Sequence, residues 1–182
     1  MNNKIRVYAF KYFSYTAILL CLFVLQSTPD FLSFGGVKPI LVIPACVCIA
    51  MVDGEFIGGI FGAVAGVLCD LGSLALFGFN SIVILICCIC IGLLVIYLMR
   101  LNLVNAVLLT VSTLTIRGLL DYFVTYAMWG YENSSLIIFT GIIPCILLTA
   151  VFTPPIFFLI KKFKLYLDIK LDVKFACYNT LP

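Results

Sequence analysis

The fold class this sequence predicts is an all-α polytopic membrane protein, a bundle of about six transmembrane helices. Three observations predict it. The first is composition: of 182 residues, 64% are hydrophobic and 10% charged, with a mean hydropathy of +1.25. A water-soluble domain carries about 25% charged residues. The second is order, because long apolar runs alternate with short polar turns and no polar stretch is long enough for a separate soluble domain. The third is the placement of charge. With the N-terminus cytoplasmic and about six crossings, Lys4, Arg6, Lys11, Arg100, Lys161, Lys162, Lys164, Lys170 and Lys174 all fall inside, as the positive-inside rule asks. Lys38 alone falls in an outside loop, and Arg117 lies within a helix. The chain is expected to divide into a transmembrane bundle, 1–161, and a cytoplasmic basic tail, 162–182, with both termini in the cytoplasm.

The first helix is expected from about Tyr8 to Gln26, after the basic start MNNKIRVYAFK. Leu25-Gln26-Ser27-Thr28-Pro29 offers no small-x-small cleavage site, so this helix reads as retained and not as a signal peptide. A loop then leads to Pro39, a good first helical residue, and a second helix to Val52 with Pro44 expected to kink it. It is only about 21 Å long at 1.5 Å per residue, against roughly 30 Å of hydrocarbon. A third helix runs to about Leu71. These two read either as thin spans or as a hairpin that enters and leaves from one side. The fourth helix is expected over Ser81–Met99 and the fifth over Val104–Met128. Trp129, Gly130, Tyr131, Glu132 and Asn133 suit an interfacial turn. The sixth is expected over Leu136–Ile160, with Pro154-Pro155 breaking or kinking its end.

Glycine organises the third helix. Gly54, Gly58, Gly62 and Gly66 recur every fourth residue, and the next step lands on Asp70. In water each such glycine costs about 1 kcal/mol against alanine; in a bilayer the same spacing lets a second backbone approach closely. Four-residue steps drift by roughly 40° around a helix, so the stripe suits a partner crossing at an angle. Asp70 reads as a cap or turn former at the helix end.

Arg117 and Asp121 sit four apart on one face of the fifth helix. An ionised side chain within the bilayer costs about 3 kcal/mol on insertion scales, so neither should face lipid. They read as an internal salt bridge that fixes how this helix docks, or as a substrate or ion site, or as a contact with a partner's helix. Enzyme chemistry is not expected. There is no histidine, no nucleophile–base constellation, no phosphate-binding glycine loop and no acid–base pair of carboxylates. The nine cysteines lie almost all in apolar runs; without a polar second shell they read as small buried thiols, not as metal ligands. No cofactor, metal or nucleic acid is expected, and the natural surroundings are membrane lipids.

From Lys162 to Phe175 every odd position is apolar and every even one charged except Tyr166. A period of two is a strand pattern, so the tail is expected to form a β-strand when paired with a partner's sheet edge or its own copy; the competing reading is a simple continuation of the sixth helix.

Several of these residues carry a resemblance. They are Leu25-Gln26, the basic–proline pair Lys38-Pro39, the run Gly66-Val67-Leu68-Cys69-Asp70-Leu71, then Gly78, Asn80 and Gly92. Together they resemble the bacterial rod-shape-determining MreD family, with its G-x-x-x-G-hydrophobic-hydrophobic-x-D-L core and leucine–glycine turn. Phe77 stands where the family has that leucine, and Pro154 followed by Lys161 matches the family's proline ahead of a basic tail. The likeness covers residues 25–92 closely and the remainder by size and hydropathy. It implies a non-catalytic scaffold in the peptidoglycan elongation machinery at the plasma membrane. The implied partners are an MreC-type protein, the MreB-type filament and a RodA-type glycan synthase. The family's fold is similar to that of the substrate-binding S components of vitamin transporters. This supplies an alternative function, a small-solute-binding membrane subunit with Arg117 as anchor for an anionic group. The resemblance assigns no role to Arg117 or the tail.

Overall fold

The computed structural model describes residues 2–28, 37–72, 77–124 and 141–179. Among them are six helices: α1 (Asn2–Ser27), α2 (Val42–Asp53), α3 (Glu55–Leu71), α4 (Phe79–Tyr97), α5 (Leu103–Tyr122) and α6 (Ile143–Asn179). Four segments are long and apolar enough to cross a membrane: Ala9–Ser27, Phe79–Tyr97, Leu103–Tyr122 and Ile143–Tyr166. The chain is therefore a helical, multi-pass membrane bundle.

Successive helices run in opposite directions. Lys11 of α1, Asp53 at the end of α2 and Lys164 of α6 meet at one end, which we call the basic end. Gln26, Asp70, Asn80 and Thr149 belong to the other.

The short helix α2 is the centre. Every residue from Val42 to Val52 is buried, and α1, α3, α4, α5 and α6 all pack on it. Twelve residues give about 18 Å of helix, too short to cross the hydrocarbon but fully sheltered from it. Pro44 does not kink α2 as the sequence suggested. The helix starts at Val42, which places Pro44 in the first turn, where its missing N–H has no helical partner to lose. Gly54 alone joins α2 to α3. It adopts φ 90°, ψ −177°, a backbone region open essentially to glycine, and so reverses the chain in one residue.

On α3 the sequence pattern divides cleanly between two faces. Phe56, Ile60, Val64, Val67 and Leu71 are outward and exposed, while Gly58, Gly62 and Gly66 face inward and are buried. On α5 and α6 the inward polar groups are threonines. Thr110, Thr113, Thr149 and Thr153 are buried, and each hydroxyl donates to the carbonyl four residues earlier. No hydroxyl among these four is left unpaired in the apolar interior.

Two expectations for the end of the chain are corrected. Pro154-Pro155 do not end the sixth helix, which continues through both. The tail is not a strand: α6 extends to Asn179 across the whole alternating segment, Lys162–Phe175. A single extended segment with no sheet edge beside it leaves its backbone groups without partners, whereas a helix already under way satisfies them locally at each added residue. The fifth helix was expected to reach Met128, and the described helix ends at Tyr122. The Trp129–Asn133 turn and the expected start of the sixth helix lie outside the described residues.

Candidate functional site

The glycine stripe is a seam between α3 and α4, with α2 beneath it. A Cβ added at Gly58 would lie 2.5 Å from Ala50 Cβ of α2. At Gly62 it would lie 2.9 Å from Cys88 Cβ, and at Gly66 2.2 Å from Ser81 Cα, both on α4. The approach is reciprocal: at Gly92 of α4 the added atom would be 2.4 Å from Glu55 Cα of α3. Gly54 sits at the turn itself. Carbon atoms in contact prefer about 3.5–4.0 Å, so side chains at these points are incompatible with this packing.

Asp70 closes the seam. It ends α3, and its carboxylate receives the start of α4. Oδ2 accepts from the Gly78 N–H at 2.9 Å and the Ser81 N–H at 3.4 Å. Oδ1 accepts from the Asn80 N–H at 3.3 Å and from Asn80 Nδ2 at 2.8 Å. A carboxylate among the free N–H groups of a helix start is favoured both by hydrogen bonding and by the helix dipole. Asp70 is thus a cap, but for the following helix and not its own. Gly78, at φ 93°, turns the chain so that these N–H groups face it. Ser81 adds a hydroxyl bond to the Ala63 carbonyl, 3.0 Å, back across the seam.

Asn80, wholly buried, carries the cluster to a third helix. Its Oδ1 accepts from Arg117 Nε at 2.7 Å. The order Asp70–Asn80–Arg117 therefore links α3, α4 and α5 through one amide. The salt bridge expected between Arg117 and Asp121 is not formed. Among the described residues the ion pairs are Lys11–Asp53 and Lys164–Asp53. The physical reason is orientation: Arg117 is drawn inward to an amide already polarised by Asp70, away from the residue one turn further along.

A second polar cluster occupies the basic end. Lys11 Nζ lies 2.7 Å from Asp53 Oδ1, with side chains 8% and 4% exposed. Lys164 Nζ lies 3.3 Å from the same oxygen and donates to the Val52 carbonyl. Asp53 Oδ2 is buried and has no hydrogen-bond partner among the described residues. Tyr15 stacks edge-on against Phe61 at 5.7 Å and tilts against Phe163 at 6.1 Å, which packs α1, α3 and α6 around the pair. Sequence reading had placed both lysines inside but had not joined them to Asp53. The signal was present, since the same count of crossings puts the Asp53-Gly54 turn at that face.

At the centre, Cys46 of α2 and Cys88 of α4 are buried with their sulfurs 3.7 Å apart. Chemically, the arrangement fixes helices. The Asp70 carboxylate is held by donors at the start of α4 and that of Asp53 by two lysines. Comparison with known protein families, with curated proteins and with solved structures gives no match.

Proposed function

We propose that this chain is a non-catalytic scaffold of the MreD type in the bacterial plasma membrane, with both termini cytoplasmic. It would hold an MreC-type partner within the elongation machinery that includes an MreB-type filament and a RodA-type synthase, and so maintain rod shape. The observation that carries this reading is the connectedness of the resembling residues. Gly66, Asp70, Gly78 and Asn80 make up one contact set, in which Gly66 admits Ser81 and Asp70 binds Gly78 and Asn80. The shared motif thus has a physical purpose, a rigid α3–α4 hairpin, and that is what a docking platform requires. Basic residues at the Lys11–Lys164 end support the orientation.

The alternative, a solute-binding subunit, would need room between the helices. The burial of α2 from Val42 to Val52 fills that position and favours the scaffold. Depletion in a rod-shaped host tests the proposal. Swollen or round cells with normal solute uptake are expected. Normal shape with lost uptake of a vitamin-like solute would overturn the scaffold in favour of the transporter.

A further inference from the structure

We propose that the last turns of α6, beyond the membrane, pair with the same segment of a second copy of this chain. The two helices run side by side in the same direction and share the stripe of Leu165, Ile169 and Val173.

The segment is placed by a contact and by its composition. Lys164 meets Asp53 at the basic end of the bundle, and α6 continues from there to Asn179, about 22 Å further at 1.5 Å per residue. Seven of the fourteen residues from Lys161 to Lys174 are charged, which sets this part of the helix outside the hydrocarbon.

An alternation of two acquires a definite order when it is wound on a helix. Two residues advance about 200° and four advance about 40°, so each set splits into two opposed stripes. The apolar set divides into Phe163, Leu167, Leu171 and Phe175 on one side and Leu165, Ile169 and Val173 on the other. The first stripe begins against the protein, where Phe163 tilts against Tyr15 of α1 at 6.1 Å. The second begins on the outside, since Leu165 is 61% exposed. The charged set divides as well, and it divides by sign. Asp168 and Asp172 fall on one stripe, and Lys170 and Lys174 on the opposed one. The outward apolar stripe thus has an acidic stripe on one side and a basic stripe on the other.

That arrangement complements itself in one direction only. When two identical helices lie parallel about a two-fold axis, the left flank of one faces the right flank of its partner. Aspartates then meet lysines along both edges of the shared stripe. In an antiparallel pair, aspartates would face aspartates and lysines would face lysines. Two copies inserted in one membrane with the same topology emerge from it in the same direction, so the permitted arrangement is the one the membrane imposes. An anionic lipid surface would attract the lysines and repel the aspartates, and it gives no reason for sorting them to opposite sides. The inference holds whichever function the bundle serves.

Native mass spectrometry of the full chain in mild detergent, over a range of protein concentrations, tests the proposal. The wild type is expected to dimerise. Lys170→Asp combined with Lys174→Asp makes both flanks acidic and should raise the dissociation constant about tenfold or more. Adding Asp168→Lys and Asp172→Lys to that variant exchanges the two stripes and makes them complementary again, so dimerisation should return to near the wild-type level. Because the exchanged variant contains both substitutions of the repulsive one, its recovery separates lost pairing from lost folding. A wild type that stays monomeric throughout overturns the proposal. So does a dimer that survives the charge reversal, which would be held by the bundle instead, or a loss that the exchange fails to restore.

Discussion

Replacing Gly66 with alanine isolates the contribution of the α3–α4 seam with the smallest available change. The new Cβ would lie 2.2 Å from Ser81 Cα, 2.7 Å from Ser81 N and 2.8 Å from the Asn80 carbonyl oxygen. All three are backbone atoms, so no rotamer change relieves the clash. With carbon contacts settling near 3.5 Å, the helices must part by roughly 1.3 Å (3.5 − 2.2) at this level. The Asp70 bonds to the Gly78 N–H and Asn80 Nδ2, now 2.9 and 2.8 Å, would then stretch beyond the range of a hydrogen bond. Overpacking costs about 1–3 kcal/mol and a lost charged hydrogen bond about 1.5–3 kcal/mol. Alanine's higher helix propensity returns up to about 1 kcal/mol, leaving a net loss of roughly 1.5–6 kcal/mol. Gly59→Ala is the comparison. Its Cβ would meet only Ile89 Cγ1 at 2.8 Å and Cδ1 at 3.2 Å, one side chain and no backbone, so less has to shift. Thermal unfolding of the full chain in detergent, followed by circular dichroism, should show a large drop for Gly66→Ala and a small one for Gly59→Ala. A Gly66→Ala protein that melts with the wild type, or no lower than Gly59→Ala, would refute the close-contact argument.

Asp70→Asn keeps the volume but turns an NH2 group toward the N–H donors of α4, and should cost about 1–3 kcal/mol in the same melting assay. Asp53→Ala strands the buried Lys11 and should lose about 3–5 kcal/mol. Lys164→Ala, which removes a side chain that is itself 31% exposed, should lose under about 1 kcal/mol; a double-mutant cycle of Asp53 with Lys11 giving purely additive losses would show that they are not coupled. Spin labels placed one at a time along 163–175 should show mobility with a period near 3.6 residues, and alternation at every second residue would contradict the helical tail.

What was legible in the sequence was whatever depended on neighbours along the chain. Helix identities followed from apolar run length, and the close-packed face of α3 from the spacing of Gly58, Gly62 and Gly66. What was not legible depended on which distant groups compete for a side chain. Arg117 and Asp121 are well placed to pair by spacing alone, yet Asn80, 37 positions away in sequence, takes the arginine. Asp70 looked like the end of α3, and it is, but the donors it satisfies belong to α4. The tail failed for a different reason. Its period of two is unmistakable, but side-chain periodicity decides between strand and helix only when something buries the strand's face. Here the preceding helix settles the backbone first.

The position of α2 explains why the two polar clusters lie at opposite ends of the bundle. A helix of twelve residues ends inside the protein, so its terminal N–H and C=O groups cannot reach bulk water on their own. Each group left unsatisfied in a hydrocarbon setting costs several kcal/mol. Partners are brought from elsewhere in the chain. Gln26 Oε1 of α1 accepts from the Val42 N–H at 3.3 Å, and Thr149 Oγ1 of α6 accepts from the Ile40 N–H at 3.1 Å just ahead of the helix. At the other end Lys164 of α6 donates to the Val52 carbonyl, and Asp53 draws in Lys11. The first and last helices thus supply both ends of the central one. The hairpin of α3 and α4 is self-contained, held by glycine contacts and by Asp70. The central helix gains its Thr149 and Lys164 partners only when α6, synthesised after the other described helices, packs against it.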